Sequence, residues 1–245
     1  TGAAVPRGAD AVVRIEDVAL DGEVVHVRDD RDARDDASAG GRRNVRPRGE
    51  DVAAGAVAVA AGTRLGPASL GVLASIGAAE VSVTRRPRVG IVASGDELLP
   101  LADFDPARDG ARRLVSSNSV SLAALVREAG GEPVDLGVAP DDADALRARL
   151  EAAREAACDA VLTTGAVSVG EHDHVRDAVR AAGGTLHFWR VRIRPGGPLA
   201  FGTLPAADTA ARARAHDPGA RAIPWLGLPG NPLSTVVTFE LLARP

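Results

Sequence analysis

The sequence predicts an α/β protein with a three-layer, open, mostly parallel sheet, preceded by a β-rich segment and a small linking subdomain. Three observations predict it. From about residue 87 onward, short apolar runs alternate with stretches of helical periodicity. Three of those runs end in loops rich in Gly, Asp and Ser, as strands do where an open sheet turns into a helix. The residues before 87 lack that alternation and read as strands, turns and one short helix.

Residues 1–44 read as the remnant of a β-rich domain. AVVRIEDV and EVVHVRD have strand-like patterns, and Asp21-Gly22 between them signals a hairpin turn. The charged DDRDARDDASAGGRR that follows reads as a solvated loop. Residues 45–86 read as a linker subdomain. VRPRGEDVAAG is turn-rich, AVAVAAGT is a predicted strand, and AEVSVTRRP is another. GPASLGVLASIGA is a predicted helix that starts at Pro67 and stops at Gly77.

Residues 87–245 read as the α/β domain. RVGIVAS, PVDLGV and DAVLTTG are predicted strands, separated by helices over 118–129 and 141–156. The second of these helices opens on acids, which suit the positive end of a helix. A helix over 172–182 leads to strands TLHFWRVRI, PLAFGTL and AIPWLGL, and a helix over 231–243 follows. AADTAARARAHDPGARA, between the last two strands, reads as a mobile surface loop.

Composition excludes several functions. The chain has 245 residues, 45% hydrophobic but only 2% aromatic, so its core must be Ala, Val and Leu. A net charge of −4 and the scarcity of stacking aromatics argue against nucleic acid as a partner. No apolar run approaches the roughly 20 residues of a membrane span. No signal-peptide pattern opens the sequence, and the one cysteine, Cys158, reads as a small core residue, so a cytoplasmic location is expected. All 29 basic residues are Arg and Met is absent, which points to coding bias rather than to the fold.

Ligands of open α/β sheets bind beyond the carboxyl ends of the strands. The candidate loops are ASGDELLP, TTGAVSVGEHD and GLPGNPLS. TTGAVSVG offers free backbone N–H groups together with the Thr163, Thr164 and Ser168 hydroxyls, a seat for a phosphate at the start of a helix. Asn231 is a candidate cap for the helix after GLPG. Asp96, Glu97, Asp141, Asp142 and Asp173 are candidate oxygen ligands for Mg²⁺, although Asp141 and Asp142 also suit a helix start. Arg190, Arg192 and Arg194 alternate along the predicted strand WRVRI, so they should share one face and could meet an anion there.

The ordered set TGAAVPRGADAVV, RPRGEDVAAG, ASGDELLP, TTGAVSVGEHD, RIRPGGP and LPGNPLS resembles the molybdopterin molybdenumtransferase family, MoeA of bacteria and the E domain of gephyrin. The resemblance spans residues 1–245. It implies a MogA-like α/β domain and an enzyme that inserts molybdate into adenylated molybdopterin with release of AMP. It also implies a Mg²⁺ requirement, a homodimer, and the molybdopterin adenylyltransferase as a partner. The family's site positions fall on Thr1, Asp51, Glu97, Asp141, Asp173, Arg190 and Arg194, with Glu97, Asp141 and Asp173 toward the metal. Ligand-binding positions follow at Thr164, Gly165, Ser168, Gly170, Pro195, Gly196, Pro229, Gly230 and Asn231. Three departures stand out. Gly165-Ala166 replaces a Gly-Gly, Arg replaces Lys at 190 and 194, and Gly197 stands where the family has the lysine of PGKP. Against the family pattern the chain is expected to be truncated at both ends. The alternative is a pterin-nucleotide-binding module, or an adenylyltransferase-like protein, without metal insertion.

Overall fold

A computed structural model describes residues 2–9, 11–28, 44–110, 112–165, 174–206 and 222–244. The expectations for Thr1, Ser168, Gly170, Asp173, the 29–43 loop and most of the 206–222 insert lie outside the described residues. The chain divides into two compact units, Thr1–Val83 and Thr84–Pro245.

Among the described residues the first unit contains one antiparallel hairpin, β1 (Val18–Asp21) with β2 (Val24–Val27), in the register Val18↔Val27 to Asp21↔Val24. Gly22 supplies the positive φ (61°) of the turn, as Asp21-Gly22 predicts. The first strand is shorter than predicted. Residues Ile15–Asp17 wind into a 3₁₀ turn, held by an Arg14–Asp17 ion pair of 2.7 Å. Helix α1 (Pro67–Ser75) starts on its proline and ends before Gly77 at φ 79°. The strands predicted at AVAVAAGT and AEVSVTRRP do not form. A strand needs a partner to accept its ladder, and neither segment finds one among the described residues.

The second unit is built on a six-stranded sheet. Its strands are β3 (Arg88–Ser94), β6 (Glu132–Ala139), β7 (Ala160–Thr164), β8 (Thr185–Trp189), β9 (Ala200–Leu204) and β10 (Ile223–Leu228), in the order β6-β3-β7-β10-β9-β8. β6, β3, β7 and β10 are parallel, and β9 runs antiparallel to both of its neighbours. A two-stranded parallel ladder, β4 (Leu98–Leu99) with β5 (Leu114–Val115), lies outside this sheet.

Alternation along the central strands divides the core into two faces. Val92 of β3 and Val161 of β7 pack with Leu146 and Leu150 of α4 (Ala143–Glu155) and Val175 and Val179 of α5 (His174–Ala181). Ile91 and Leu162 turn the other way. They pack with Leu122 and Val126 of α3 (Ser117–Glu128) and with Phe239, in the π-helical turn Phe239–Ala243 that continues α6 (Pro232–Thr238). The result is the predicted three-layer, mostly parallel architecture. Cys158 is fully buried among the first set, and burial pushes its thiol pKa up.

Trp225 is the largest side chain in this core, fully buried, with its indole N–H donating to Thr163 Oγ1 at 3.2 Å. Trp225→Ala removes about 3–5 kcal/mol of stability. Urea denaturation followed by far-ultraviolet circular dichroism should show that loss, and a smaller one for Trp225→Phe.

Asp109 closes the short helix α2 (Pro106–Asp109), which Asp105 caps by accepting from the Ala107 N–H at 2.9 Å. The Arg108 guanidinium and then the Asp105 N–H, both donating to the Asp109 carboxylate, hold its pKa down to about 2 from an ordinary 3.8. The folded pKa is depressed, so the group stabilises this turn above about pH 4 and stops doing so as pH falls toward 2. Titration by carboxyl carbon NMR should place Asp109 near 2, and Asp109→Asn should remove that pH dependence.

Candidate functional site

Register brings three of the sequence-predicted loops to one place. Ala93, Thr164 and Leu228 stand level across β3, β7 and β10, so Ser94, Gly165 and Pro229 are the next residues on three adjacent parallel strands. From β3 the chain crosses through α3 to β6, and from β7 it crosses through α5 toward β8, in opposite directions along the sheet. The gap between β3 and β7 is therefore a topological switch point, where open α/β sheets leave a crevice for ligand. A pocket of about 220 Å³ opens there, lined by Ser94, Glu97, Asn118, Thr164, Gly165 and Gly230 among others.

Close backbone approach shapes this pocket. Gly165 has φ 110°, and a Cβ there would collide with the Ser94 carbonyl oxygen. A Cβ on Gly230 would stand 3.2 Å from the Gly165 Cα. Gly165 is needed because its main chain sits directly against the Ser94 carbonyl, and Gly230 keeps the second approach close.

Asn118 ties the loops together. Its side-chain amide donates to Thr164 Oγ1 at 2.9 Å and to the Gly230 carbonyl at 2.8 Å. Thr164 Oγ1 donates to the Pro229 carbonyl at 3.1 Å, which also accepts from Thr235 Oγ1 at 2.5 Å. Asn231 caps α6, accepting from the Ser234 N–H at 3.3 Å, as the sequence predicts. The sequence reading missed Asn118 as a site residue. The signal available was SSNS, four consecutive small polar residues entering a helix.

The acids gather on the β3 side. Ser94 Oγ donates to Asp141 Oδ1 at 3.0 Å, and the Asp141 N–H donates to Asp96 Oδ1 at 3.1 Å. Asp142 is the helix cap of α4, accepting from the Ala145 N–H at 2.8 Å, so helix capping accounts for it, whereas Asp141 meets Ser94, a lining residue of the pocket. The Glu97 carboxylate folds over Gly95, 2.8 Å from the point a Cβ there would occupy, and the Glu97 carbonyl accepts from the Leu114 N–H at 2.7 Å. Arg113 donates to the Asp96 carbonyl. Among the described residues no three His, Cys, Asp or Glu side chains gather into a metal-binding group.

The basic segment differs from its expectation. β8 ends at Trp189, and Arg190 takes a left-handed φ of 69°, so Arg190, Arg192 and Arg194 do not share a strand face. The chain must turn here to reach β9, and the turn is closed by Arg190 N–H to Leu199 carbonyl (2.7 Å) and Val191 N–H to Gly197 carbonyl (3.0 Å). The Arg194–Pro195 peptide is cis. Gly196, at φ 109°, packs so tightly on Thr238 of α6 that a Cβ would clash. The turn lies at the same carboxyl edge, because Ala200 of β9 pairs with Gly227 of β10. Asp51 belongs to the first unit, where it is exposed, pairs with Arg46 at 2.9 Å, and lines a separate pocket of about 230 Å³.

Fold and crevice together define a ligand-binding α/β protein of the switch-point type. The family described as "Probable molybdopterin binding domain" matches residues 90–245, and the family described as "MoeA N-terminal region (domain I and II)" matches residues 1–77. The chain belongs to the molybdopterin-binding-domain family. It is 36% identical over its whole length to a molybdopterin molybdenumtransferase of Haemophilus influenzae and 37% identical to molybdopterin molybdenumtransferase 2 of Mycobacterium tuberculosis, covering 54% and 55% of those proteins. The chain thus spans about half the length of these curated relatives. A crystal structure of the molybdopterin biosynthesis MoeA protein from Pyrococcus horikosii superposes with a TM-score of 0.69 at 27% identity, over 99% of this chain and 53% of that one.

Gly165→Ala should cost more than about 1 kcal/mol, since alanine cannot take this φ without strain and its Cβ has no room. Asn118→Ala should cost about 1–2 kcal/mol, because it leaves the Gly230 carbonyl without this donor. Urea unfolding midpoints check both.

Proposed function

We propose that this chain supplies the molybdopterin-binding part of a molybdenumtransferase, which inserts molybdate into adenylated molybdopterin and releases AMP. The observation that carries the reading is the junction of Ser94, Thr164–Gly165 and Pro229–Asn231 beside the Glu97 and Asp141 carboxylates. The family matches across both halves of the chain support it.

In this reading the main chain and hydroxyls around Thr164, Gly165, Ser168 and Gly170 receive a phosphate of the pterin nucleotide. Pro229, Gly230 and Asn231 are assigned to the same ligand, and Gly230 lines the pocket. Arg190 and Arg194, beside Pro195 and Gly196, offset negative charge as the phosphoanhydride breaks. Positioning and charge stabilisation suffice for this cleavage, and no covalent nucleophile on the protein is required. Thr1 and Asp51 are assigned to the same reaction through the family's site positions. The reading also makes the enzyme a cytoplasmic homodimer that receives its substrate from the molybdopterin adenylyltransferase.

The donor chemistry suits Mg²⁺. Asp141 meets Ser94 and the Glu97 carboxylate lies by Gly95, and Mg²⁺ commonly takes one or two carboxylates and completes its octahedron with phosphate oxygens and water. Asp173 is proposed as a third ligand. Bound there, the ion would neutralise phosphate charge. The residues' own part is to hold that geometry, Asp141 through Ser94 and Glu97 through Leu114.

Gly197 stands where the family pattern has lysine. Its Cβ direction meets nothing nearer than the Ile193 carbonyl at 3.4 Å, so the backbone itself leaves room for a Cβ at this position.

Incubation with adenylated molybdopterin, Mg²⁺ and molybdate should release AMP in a molybdate-dependent manner. Asp141→Asn should lower that rate at least about 100-fold, equivalent to about 2.7 kcal/mol. Pterin retained without AMP release would contradict the transferase and leave a binding module.

A further inference from the structure

We propose that the groove between α3 and β6 is a second small-molecule site, which takes a zwitterion of amino-acid size with a large apolar side chain. The inference stands apart from the transferase reading. The groove shares only Ser116 with the lining of the switch-point crevice.

The groove has a volume of about 570 Å³, against about 220 Å³ for the crevice. Ser119, Ala123 and Arg127 of α3 line it at helical spacing, and Pro133, Asp135 and Gly137 of β6 line it at strand spacing. The composition of these two elements explains why it is open. Leu136 and Ala139, on the other face of β6, pack in the core with Leu146 and Leu150 of α4. On the groove face a proline, an acid and a glycine stand where a covered strand carries apolar side chains, and α3 offers only a serine and an alanine beside its arginine. The space left has the size of a small-molecule pocket. A peptide strand is not its occupant, although β6 is an edge strand. Pro133 has no N–H to donate, and the register of β6 shifts between Asp135 and Val138, where Gly137 takes φ 80°.

Charge decides the class of ligand. Arg127 and Asp135 line the same groove from its two elements, and among the described residues they form no ion pair, with each other or with a third group. The Arg127 guanidinium donates to the Ala123 carbonyl of its own helix at 3.3 Å, and Asp135 Oδ1 accepts from the Gly137 N–H at 2.8 Å. The remaining guanidinium donors and Asp135 Oδ2 are left for a ligand. A simple anion is repelled by Asp135 and a simple amine by Arg127, whereas a molecule carrying both charges is attracted by each. A carboxylate matches the guanidinium fork, and an ammonium group matches a carboxylate oxygen. Ile91, Leu101 and Val120 supply the apolar lining for its side chain.

The test is an amide NMR titration of the 245-residue chain with L-tryptophan. Indole-3-propionate, which lacks the amine, and tryptamine, which lacks the carboxylate, are titrated separately. Tryptophan should shift the amides of Ser119, Ala123, Asp135 and Gly137 saturably, and each of the other two should bind there about tenfold or more weakly. Arg127→Gln, at an exposed position, should weaken tryptophan about tenfold with an unchanged urea midpoint. Ala123→Leu should abolish binding by filling the groove. The proposal is overturned if tryptophan shifts none of these amides, if Arg127→Gln binds it like wild type, or if either one-charge analogue binds as tightly. Arg127→Gln carries the test should the leucine variant fail to fold. Absent AMP release with this titration intact would contradict the transferase and leave the groove site standing.

Discussion

The second unit depends on one close approach: the Gly165 main chain wedged between the Ser94 carbonyl and Gly230 at the ends of three parallel strands. Without side chains at 165 and 230 the loops meet backbone to backbone. One amide, Asn118, can then reach both Thr164 and Gly230. Every other feature of the crevice is fixed relative to this junction. Ser94 orients Asp141, Thr164 and Thr235 share the Pro229 carbonyl, and Asn231 starts the helix on which Gly196 packs.

The sheet explains why the junction is rigid. β3, β7 and β10 are its central strands, covered on both faces by apolar layers that include Val92, Val161 and Trp225 on one side and Ile91, Leu162 and Leu228 on the other. Catalytic and binding groups placed just past such strands inherit their precision. The long-range tie Arg85–Asp159, 2.5 Å, and the Arg88 N–H on the same carboxylate fasten the opposite, amino ends of β3 and β7.

Much of this was legible in the sequence, for physical reasons. RVGIVAS and DAVLTTG are buried on both faces, so their apolar runs are continuous and their ends marked by glycine. Asp142, Asn231, Pro67 and Gly77 act locally at helix ends, and local chemistry can be read from neighbours in the chain. What could not be read depends on distant partners. AVAVAAGT has the composition of a strand and finds no ladder among the described residues. WRVRI alternates like a strand, but the return to β9 requires a turn at Arg190. Asn118 lies 46 residues from Thr164 and 112 from Gly230, so its role exists only once the sheet is assembled.

The central claim is that ligand is received at the switch point between β3 and β7. Amide hydrogen exchange with and without a molybdopterin nucleotide tests it most directly. The account predicts slowed exchange at Gly95, Glu97, Gly165 and Gly230, with little change at the amino edge around Arg88 and Asp159. Protection at that amino edge, or along β6, with the four amides unaffected, would contradict it.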